Sequence, residues 1–408
     1  MNLLTINSFN CSAQMMGGVN QITATLTTYF THQCGINCYL GFFEDIPSQF
    51  EPLSEFKGRI LLNRHFDEQA FEAFLRTNQI DIVQVNFLKK HNLKTLPQIY
   101  KVAHTCGAKV IYAFHMCPGF QSVTYGSWER VKYGWLYHDN ALAETKKWIL
   151  SKTKWLWGGI ARRLLQSKYR VPYDSCDRLV VLSKYYFDTY AYYAGLKGNH
   201  KMTAIGNALR FDEYASSNDI AQKEKTVIIV ARFDEDIKRI SLCLKAWRQI
   251  EADSRFVDWK LQIVGEGRDK GFYEYLVKKW KLQRVEFTGR QDPKEYYRKA
   301  SLFLMTSTAE GWGMVLTEAQ QMGVPVLALD SFGSLHDIIE DGINGRIVPN
   351  DDLSAFVGAM KELMREDNLR QKMSYSSVEL SKRFEIDKIL QNWLQLFKEI
   401  QLKNNETE

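Results

Sequence analysis

The sequence predicts an α/β protein built from two doubly wound parallel sheets. Two observations carry that expectation. Short apolar pieces rich in β-branched and aromatic residues alternate with stretches of helical spacing along most of the chain. The length, 408 residues, suits two domains of ordinary size. A composition of 45% hydrophobic and 25% charged residues excludes disordered and fibrous classes. No run approaches the roughly 18 apolar residues of a membrane span. Residues 1–10 lack a basic n-region and read as a first buried strand, not as a signal peptide.

In the first half, residues 3–9, 36–43, 80–87, 109–115 and 178–183 have the apolar, β-branched or aromatic character of buried strands. Residues 18–34, 67–78 and 93–106 carry helical spacing between them. The second half is more regular, with strands expected at 226–232, 260–264, 285–288, 302–306, 324–329 and 346–348. Each intervening helix is one crossover long, so right-handed βαβ units give a second doubly wound sheet. A polar stretch over 204–225, containing Ser216, Ser217 and Asn218, marks the boundary. The expected domains are therefore 1–205 and 206–385. A last helix and tail, 386–408, would pack back on the first domain, with 404–408 frayed.

Seven cysteines, Cys11, Cys34, Cys38, Cys106, Cys117, Cys176 and Cys243, form neither a Cys-x-x-Cys pair nor a zinc-ligand spacing. They read as small core hydrophobes in a reducing compartment, which places the protein in the cytoplasm. The net charge of +6 is concentrated. Residues 126–170 hold ten Lys/Arg against three Asp/Glu, and five of the ten tryptophans: Trp128, Trp135, Trp148, Trp155 and Trp157. The segment reads as an insertion in the first domain. Cations interleaved with indoles suit an interfacial membrane helix, or a solvated helix pair whose tryptophans pack on the body. A nucleic-acid surface is the weakest of the three readings.

The densest motif is Thr308-Ala-Glu310-Gly-Trp-Gly-Met-Val-Leu-Thr-Glu318, closing at Gly323-Val-Pro325-Val. A strand ending near Ser307 leads into a loop with Glu310, and a helix starts near Gly313 and stops at Gly323. Gly311 and Gly313 allow close backbone approach to a ligand, and the free amides of a helix N-terminus form an anion site. Glu310 and Glu318 could then flank a bound diphosphate; the alternative is a capping residue and a solvated helical charge. Arg232 and Lys238 follow a parallel strand at its C-terminal edge, where such sheets bind ligands. Surface pairing with Asp234, Glu235 and Asp236 is the alternative there. Met16-Gly17-Gly18-Val19 joins the first strand to the first helix and suits a backbone nest near an anion or sugar. His115 closes a strand. Val264-Gly265-Glu-Gly267 lacks the third glycine of a dinucleotide fingerprint, since position 270 is Lys270.

Taken in order, Arg232 with Lys238, Val264-Gly265-Glu-Gly267, Phe287-Thr-Gly289 and Glu310-x7-Glu318 with Gly323-x-Pro325 resemble glycosyltransferase family four. The resemblance is strong over 225–352 and weaker before it, where only Gly17-Gly18, His115 and the Asn207 linker correspond. Two positions depart from the family pattern: the usual glycine before the arginine is Ala231, and the usual glycine after the lysine is Arg239. The resemblance implies a GT-B fold, two Rossmann-like domains facing across a cleft. It also implies a retaining transfer of a hexose from a nucleotide sugar, such as a UDP-hexose or GDP-mannose, without metal or other cofactor.

By the same resemblance, Arg232 and Lys238 grip the diphosphate, helped by the amides of Gly311, Trp312, Gly313, Met314, Val315 and Leu316. Glu318 takes the ribose hydroxyls and Glu310 the sugar hydroxyls. His115, from the other domain, contacts the transferred sugar. Gly17, Gly18, Gly265 and Arg290 complete the donor-binding set. The expected acceptor is a glycan or a lipid-linked glycan in bacterial surface polysaccharide synthesis, with peripheral contact at the inner face of the membrane and no nucleic acid. Three alternatives stay open. Asp234-Glu-Asp236 could imitate the Asp-x-Asp of a metal-dependent single-domain transferase. A GT-B-like epimerase or phosphorylase could share the architecture. A non-catalytic lipid- or carbohydrate-binding protein with a degenerate nucleotide site is disfavoured by the retention of both cations and both glutamates.

Overall fold

Two parallel sheets organise the computed structural model. It describes residues 1–402 except 13, 15–17, 48, 63–64, 87, 89–91 and 123–124, and except the side chains of 154–155 and 157–158. Met16, Gly17, Phe87, the side chains of Trp155 and Trp157, and the tail from Asn404 therefore lie outside the described residues.

The first sheet comprises β1 (Asn2–Phe9), β2 (Asn37–Glu44), β3 (Gly58–Leu61), β4 (Ile82–Asn86), β5 (Lys109–Phe114), β6 (Arg178–Val181) and β7 (Met202–Ala204), in the order β3-β2-β1-β4-β5-β6-β7. The second comprises β8 (Thr226–Val230), β9 (Lys260–Val264), β10 (Val285–Gly289), β11 (Leu302–Met305), β12 (Val326–Asp330) and β13 (Gly345–Pro349), in the order β10-β9-β8-β11-β12-β13. Both sheets begin with three strands laid down in one direction and then jump back past their own first strand. This is the doubly wound Rossmann pattern, and the jump creates a crevice at the strands' C-terminal ends. Leu3 pairs with Cys38 on one side and Ile82 on the other. In the second sheet Ile228 lies between Gln262 and Phe303.

Two short edge strands, β3 and β7, escape the sequence pattern. Gly58–Leu61 alternates half-buried and exposed residues and so lacks the continuous apolar run of a doubly covered strand. Met202–Ala204 has only three residues. The helix expected over 93–106 is a 3-10 turn, Asn92–Thr95, followed by an α-helix, Leu96–Thr105. Pro97 suits the first turn of the second piece because its missing N–H would have no intrahelical partner there.

Contacts divide the described chain into two units: 1–119 with 160–208 and the segment from Phe384, and 120–159 with 209–383. The final helix, Ile386–Leu402, presents Ile389, Leu390, Trp393, Leu396, Phe397 and Ile400 as one buried stripe. That stripe joins the core of the first sheet, with the Phe397 ring 5.6 Å from Phe30. The second core gathers Trp247, Phe233, Tyr273 and Leu304 around β8, β9 and β11.

One expected boundary is corrected by this division. The basic segment over 126–170 was expected as an insertion of the first domain, but its part up to Gly159 packs with the second unit. The cause is specific. Tyr133 lies 5.5 Å from Phe272 and 5.3 Å from Tyr275, and Lys279 donates to Glu129 at 2.8 Å. Tyrosines make this docking. Trp128 and Trp135 stay about half exposed.

Gly265 and Gly267 serve the fold directly. Both hold positive φ, 142° and 156°. A Cβ on Gly265 would sit 1.9 Å from the Ala231 carbonyl oxygen, and one on Gly267 2.4 Å from that of Phe233. Only glycine lets the turn after β9 cross beneath the loop after β8. Gly265→Ala is therefore expected to cost at least about 1–3 kcal/mol, as strained backbone positions do. A fall in the thermal midpoint of the purified chain checks this, and an unchanged midpoint would contradict the close approach.

Candidate active site in the second sheet

The crevice of the second sheet lies between β8 and β11, its first and fourth strands, and the loops that leave these two strands carry the predicted cations and glutamates. After β8 the chain makes a short helical turn, Glu235–Lys238, followed by Arg239 in the left-handed region at φ 48°. The loop after β11 is stapled to that turn. Thr308 N donates to the Ile237 carbonyl at 2.7 Å, Thr308 Oγ1 to that of Asp236 at 3.1 Å, and Thr306 Oγ1 to that of Lys238 at 3.0 Å. The staples bring Lys238 Nζ onto Glu310 Oε1, which also accepts from Ser307 Oγ at 2.7 Å. Both partners of the ion pair are mostly shielded from solvent, at 18% and 16% side-chain exposure. The pair is thus screened less than a surface one.

Arg239 accounts for one departure from the family pattern. A left-handed backbone ordinarily favours glycine. Here the arginine is 2% exposed and its guanidinium is fully engaged. It donates to the Thr306 and Ser307 carbonyls at 2.5 and 3.1 Å, to Asn350 Oδ1 at 2.8 Å, and to Asp351 Oδ1 at 2.7 Å. The side chain thereby becomes a further tie between the two loops, which sequence reasoning did not foresee.

The helix after Glu310 runs Met314–Gln321 from an N-cap at Gly313, whose φ is 90° and which has no side chain to cap the helix. The Met314 and Val315 amides lie at the open end of this helix, where an anion can be met, whereas Leu316 N already donates to the Gly313 carbonyl at 2.8 Å. Gly311, Trp312, Met314, Val315 and Leu316 line this turn; the Trp312 side chain is buried and its carbonyl accepts from Ser334 Oγ at 2.9 Å. Glu318 is not a solvated helical charge. It is buried, accepts from Tyr297 Oη at 3.2 Å, and has Arg210 at 3.4 Å. Burial raises its carboxyl above the usual range, while Arg210 and Tyr297 act in the opposite direction. The partners Arg210 and Tyr297 carried no motif signal.

Arg232 is exposed and lies 3.2 Å from Asp234. Arg268 bridges Asp234 and Asp236, each at 2.7 Å, and Lys147 reaches Asp236 at 2.8 Å. Between these two carboxylates Glu235 turns inward, 2% exposed, and accepts from Ser241; burial pushes it up to about 7. Arg290 is exposed just beyond β10.

His115 and Gly18 belong to the first unit. Gly18 opens the helix Gly18–His32, and a Cβ there would meet nothing within 4 Å. His115 follows β5, with Nε2 3.3 Å from Asn86 Oδ1. Asn86 is itself held by Asn7 Oδ1 and Thr23 Oγ1, each at 2.9 Å. Because Asn86 Oδ1 can only accept, the ring proton belongs on Nε2, leaving Nδ1 as an acceptor. Ile22, Leu26, Phe114, Val180 and Leu182 line the same small cavity as His115, and desolvation by burial lowers the imidazole to about 4.

The two doubly wound sheets have the fold of the GT-B class. The lipopolysaccharide outer core galactosyltransferase WaaB superposes with a TM-score of 0.68 at 16% identity, over 98% of this chain and all of that one. The Anabaena protein HepE, solved in complex with UDP, gives 0.69 at 14% identity over 98% and 100%. Residues 210–379 match the family model of glycosyl transferases group 1. That segment, which holds the second sheet, is thus similar to the group 1 glycosyltransferases. Among curated relatives, the Campylobacter jejuni GalNAc-α-(1→4)-GalNAc-α-(1→3)-diNAcBac-PP-undecaprenol α-1,4-N-acetyl-D-galactosaminyltransferase is 27% identical over 57% of this chain. The amylovoran biosynthesis glycosyltransferase AmsD of Erwinia amylovora is 27% identical over 54%. Each match spans 62% of the relative's own length.

The histidine chemistry gives a pH expectation. An unfolded histidine titrates near 6.5; the folded one does so at about 4. Between these values the unfolded chain binds more protons, so this group withdraws stability as the pH falls through that window. The His115 ring should show no titration shift by NMR between about pH 5.5 and 8. A His115 midpoint near 6.5 would contradict the desolvated, Asn86-anchored ring.

Proposed function

We propose that the chain is a retaining hexosyltransferase that uses a nucleoside-diphosphate sugar and delivers the sugar to a glycan or lipid-linked acceptor in bacterial surface polysaccharide synthesis. The observation that carries this reading is the meeting of Lys238, Glu310 and the uncapped helix start at Gly313 at the switch point of the second sheet. A departing nucleoside diphosphate gathers negative charge. Opposite unit charges about 4 Å apart interact by roughly 4 kcal/mol at an effective dielectric near 20, and the helix dipole adds to this. Incoming phosphate would compete with Glu310 for Lys238. The released Glu310 carboxylate then accepts sugar hydroxyls, and Glu318 takes the ribose.

Retention follows, on this reading, when the acceptor attacks from the face that the diphosphate leaves, with a leaving-group oxygen taking the acceptor's proton. The reaction is metal-independent. Asp234 and Asp236, the two carboxylates a metal would need, are already neutralised by Arg268, Arg232 and Lys147.

Transfer assayed over a panel of UDP- and GDP-hexoses should persist in excess EDTA. It should fall about a hundred- to a thousand-fold in Lys238→Ala and in Glu310→Gln, the usual cost of one well-aimed polar group. Activity lost to EDTA and restored by manganese, with folded Lys238→Ala still active, would refute this donor site.

The membrane half of the proposal rests on the two helices Trp128–Tyr137 and Ala141–Lys152. They expose Trp135, Leu136, Leu142 and Ile149 beside Lys132, Lys146 and Lys152. No described helix is long and apolar enough to cross a membrane, so contact would be peripheral, each cation near an anionic surface adding about 1 kcal/mol. The chain should float with anionic liposomes and not with neutral ones. Equal flotation with both, or with neither, would remove membrane contact.

A further inference from the structure

The same two helices have an inner side, and its contacts converge on the loop that carries Lys238. Lys147, on the second helix, places Nζ 2.8 Å from Asp236 Oδ2 and 3.0 Å from its Oδ1, and holds Glu144 Oε1 at 3.0 Å. Arg130, on the first helix, is 7% exposed and lies 3.1 Å from Asp269 Oδ1. The other oxygen of Asp269 accepts the Glu235 amide at 2.8 Å, the first residue of the turn that ends on Lys238. Just before the first helix, the Tyr125 ring lies 5.4 Å from the guanidinium of Arg239, the residue after Lys238.

These contacts depend on how the pair of helices is built. A Cβ on Gly126 would fall 2.3 Å from Trp148 Cα and 2.8 Å from the Lys147 carbonyl carbon. The backbone carrying Lys147 therefore rests directly on Gly126. Arg268 also holds Asp236, but its side chain is 61% exposed against 33% for Lys147, and the more shielded pair resists solvent screening better.

We propose that this helical hairpin is part of the donor site's positioning machinery, with Lys147 and Arg130 holding, through Asp236 and Asp269, the loop that presents Lys238 to the donor diphosphate. They are positioning residues and touch no donor themselves. The inference rests on the nucleotide-sugar reading above, and it gives a function to a segment that the donor-site motifs leave out.

The test is calorimetric binding of UDP and of GDP to the full chain, beside transfer assays with the matching hexose donors. Lys147→Met should weaken nucleotide binding about tenfold, in keeping with the cost of a small misplacement of a binding group. Lys147→Arg, which keeps the charge, should recover most of that loss. Gly126→Val leaves every charge in place but displaces the second helix, and should weaken binding likewise while the second sheet's melting transition is kept. Lys147→Met or Gly126→Val binding as tightly as wild type would overturn the proposal. So would a Lys147→Met loss that Lys147→Arg fails to recover, since it would report side-chain packing and not charge. A wild-type chain that binds neither nucleotide and transfers from neither donor would instead overturn the functional reading, and this inference with it.

Discussion

The candidate active site depends on one close approach of backbone to backbone. The loop leaving β8 is pressed against the turn leaving β9, so that the Ala231 and Phe233 carbonyls occupy the space that side chains at Gly265 and Gly267 would take. Hydrogen bonds seal the crossing, from Phe233 N to the Glu266 carbonyl at 2.8 Å and from Asp269 N to the Phe233 carbonyl at 3.3 Å. With the loop fixed on that side, its far end can only run toward β11, where Thr306 and Thr308 receive it. The Lys238–Glu310 pair is therefore a consequence of two glycines in the turn after a third strand, β9. This recasts the Gly265-x-Gly267 motif. Its glycines are required by the protein's own backbone, whatever ligand lies above them.

Much of the fold was legible because its information is local. Buried strands such as Thr226–Val230 announce themselves by composition, and their alternation with single-crossover helices leaves few topologies open. The seven-residue gap between Glu310 and Glu318 was legible for the same reason, since a glycine-flanked helix start between two carboxylates has a chemical meaning on its own. What stayed hidden was set by long-range contact. The three-residue strand Met202–Ala204 exists because Leu179, Val180 and Val181 offer it an edge. The Asn7–Asn86–His115 chain links residues far apart in sequence, and no periodicity marks an asparagine as an orienter. The docking of the basic segment depends on Phe272 and Tyr275, more than a hundred residues further on.

That docking also changes what the segment's charge means. Counting cations from 126 to 170 suggests a surface free to meet anions. Yet Arg130 is committed to Asp269 and Asp139, Lys147 to Asp236 and Glu144, and Arg170 to Asp174. Arg162 stacks over Tyr192 at 4.4 Å. The acids that balance the segment lie partly outside it, in the loops of the second sheet. The uncommitted cations that remain beside exposed apolar residues, Lys146 and Lys152 among them, are fewer than the sequence implies. A segment of this composition can serve two surfaces at once, with Arg130, Tyr133 and Lys147 facing inward and Trp135, Lys146 and Lys152 outward.

The Gly-to-Arg departure at position 239 belongs with the same arrangement. A glycine there would satisfy the left-handed backbone without strain but would lose this further tie between the loops and leave nothing for Tyr125 to cover. The arginine accepts a strained backbone, which costs about 1–2 kcal/mol, and offsets it with four hydrogen bonds to residues of the β11 and β13 loops. Its buried charge is tolerable only because every face of the guanidinium is used. Tyr125, brought in by the hairpin, shields the remaining face through a cation–π contact. The substitution and the hairpin are thus two halves of one solution for holding the Lys238 loop. Each would be poorly supported without the other.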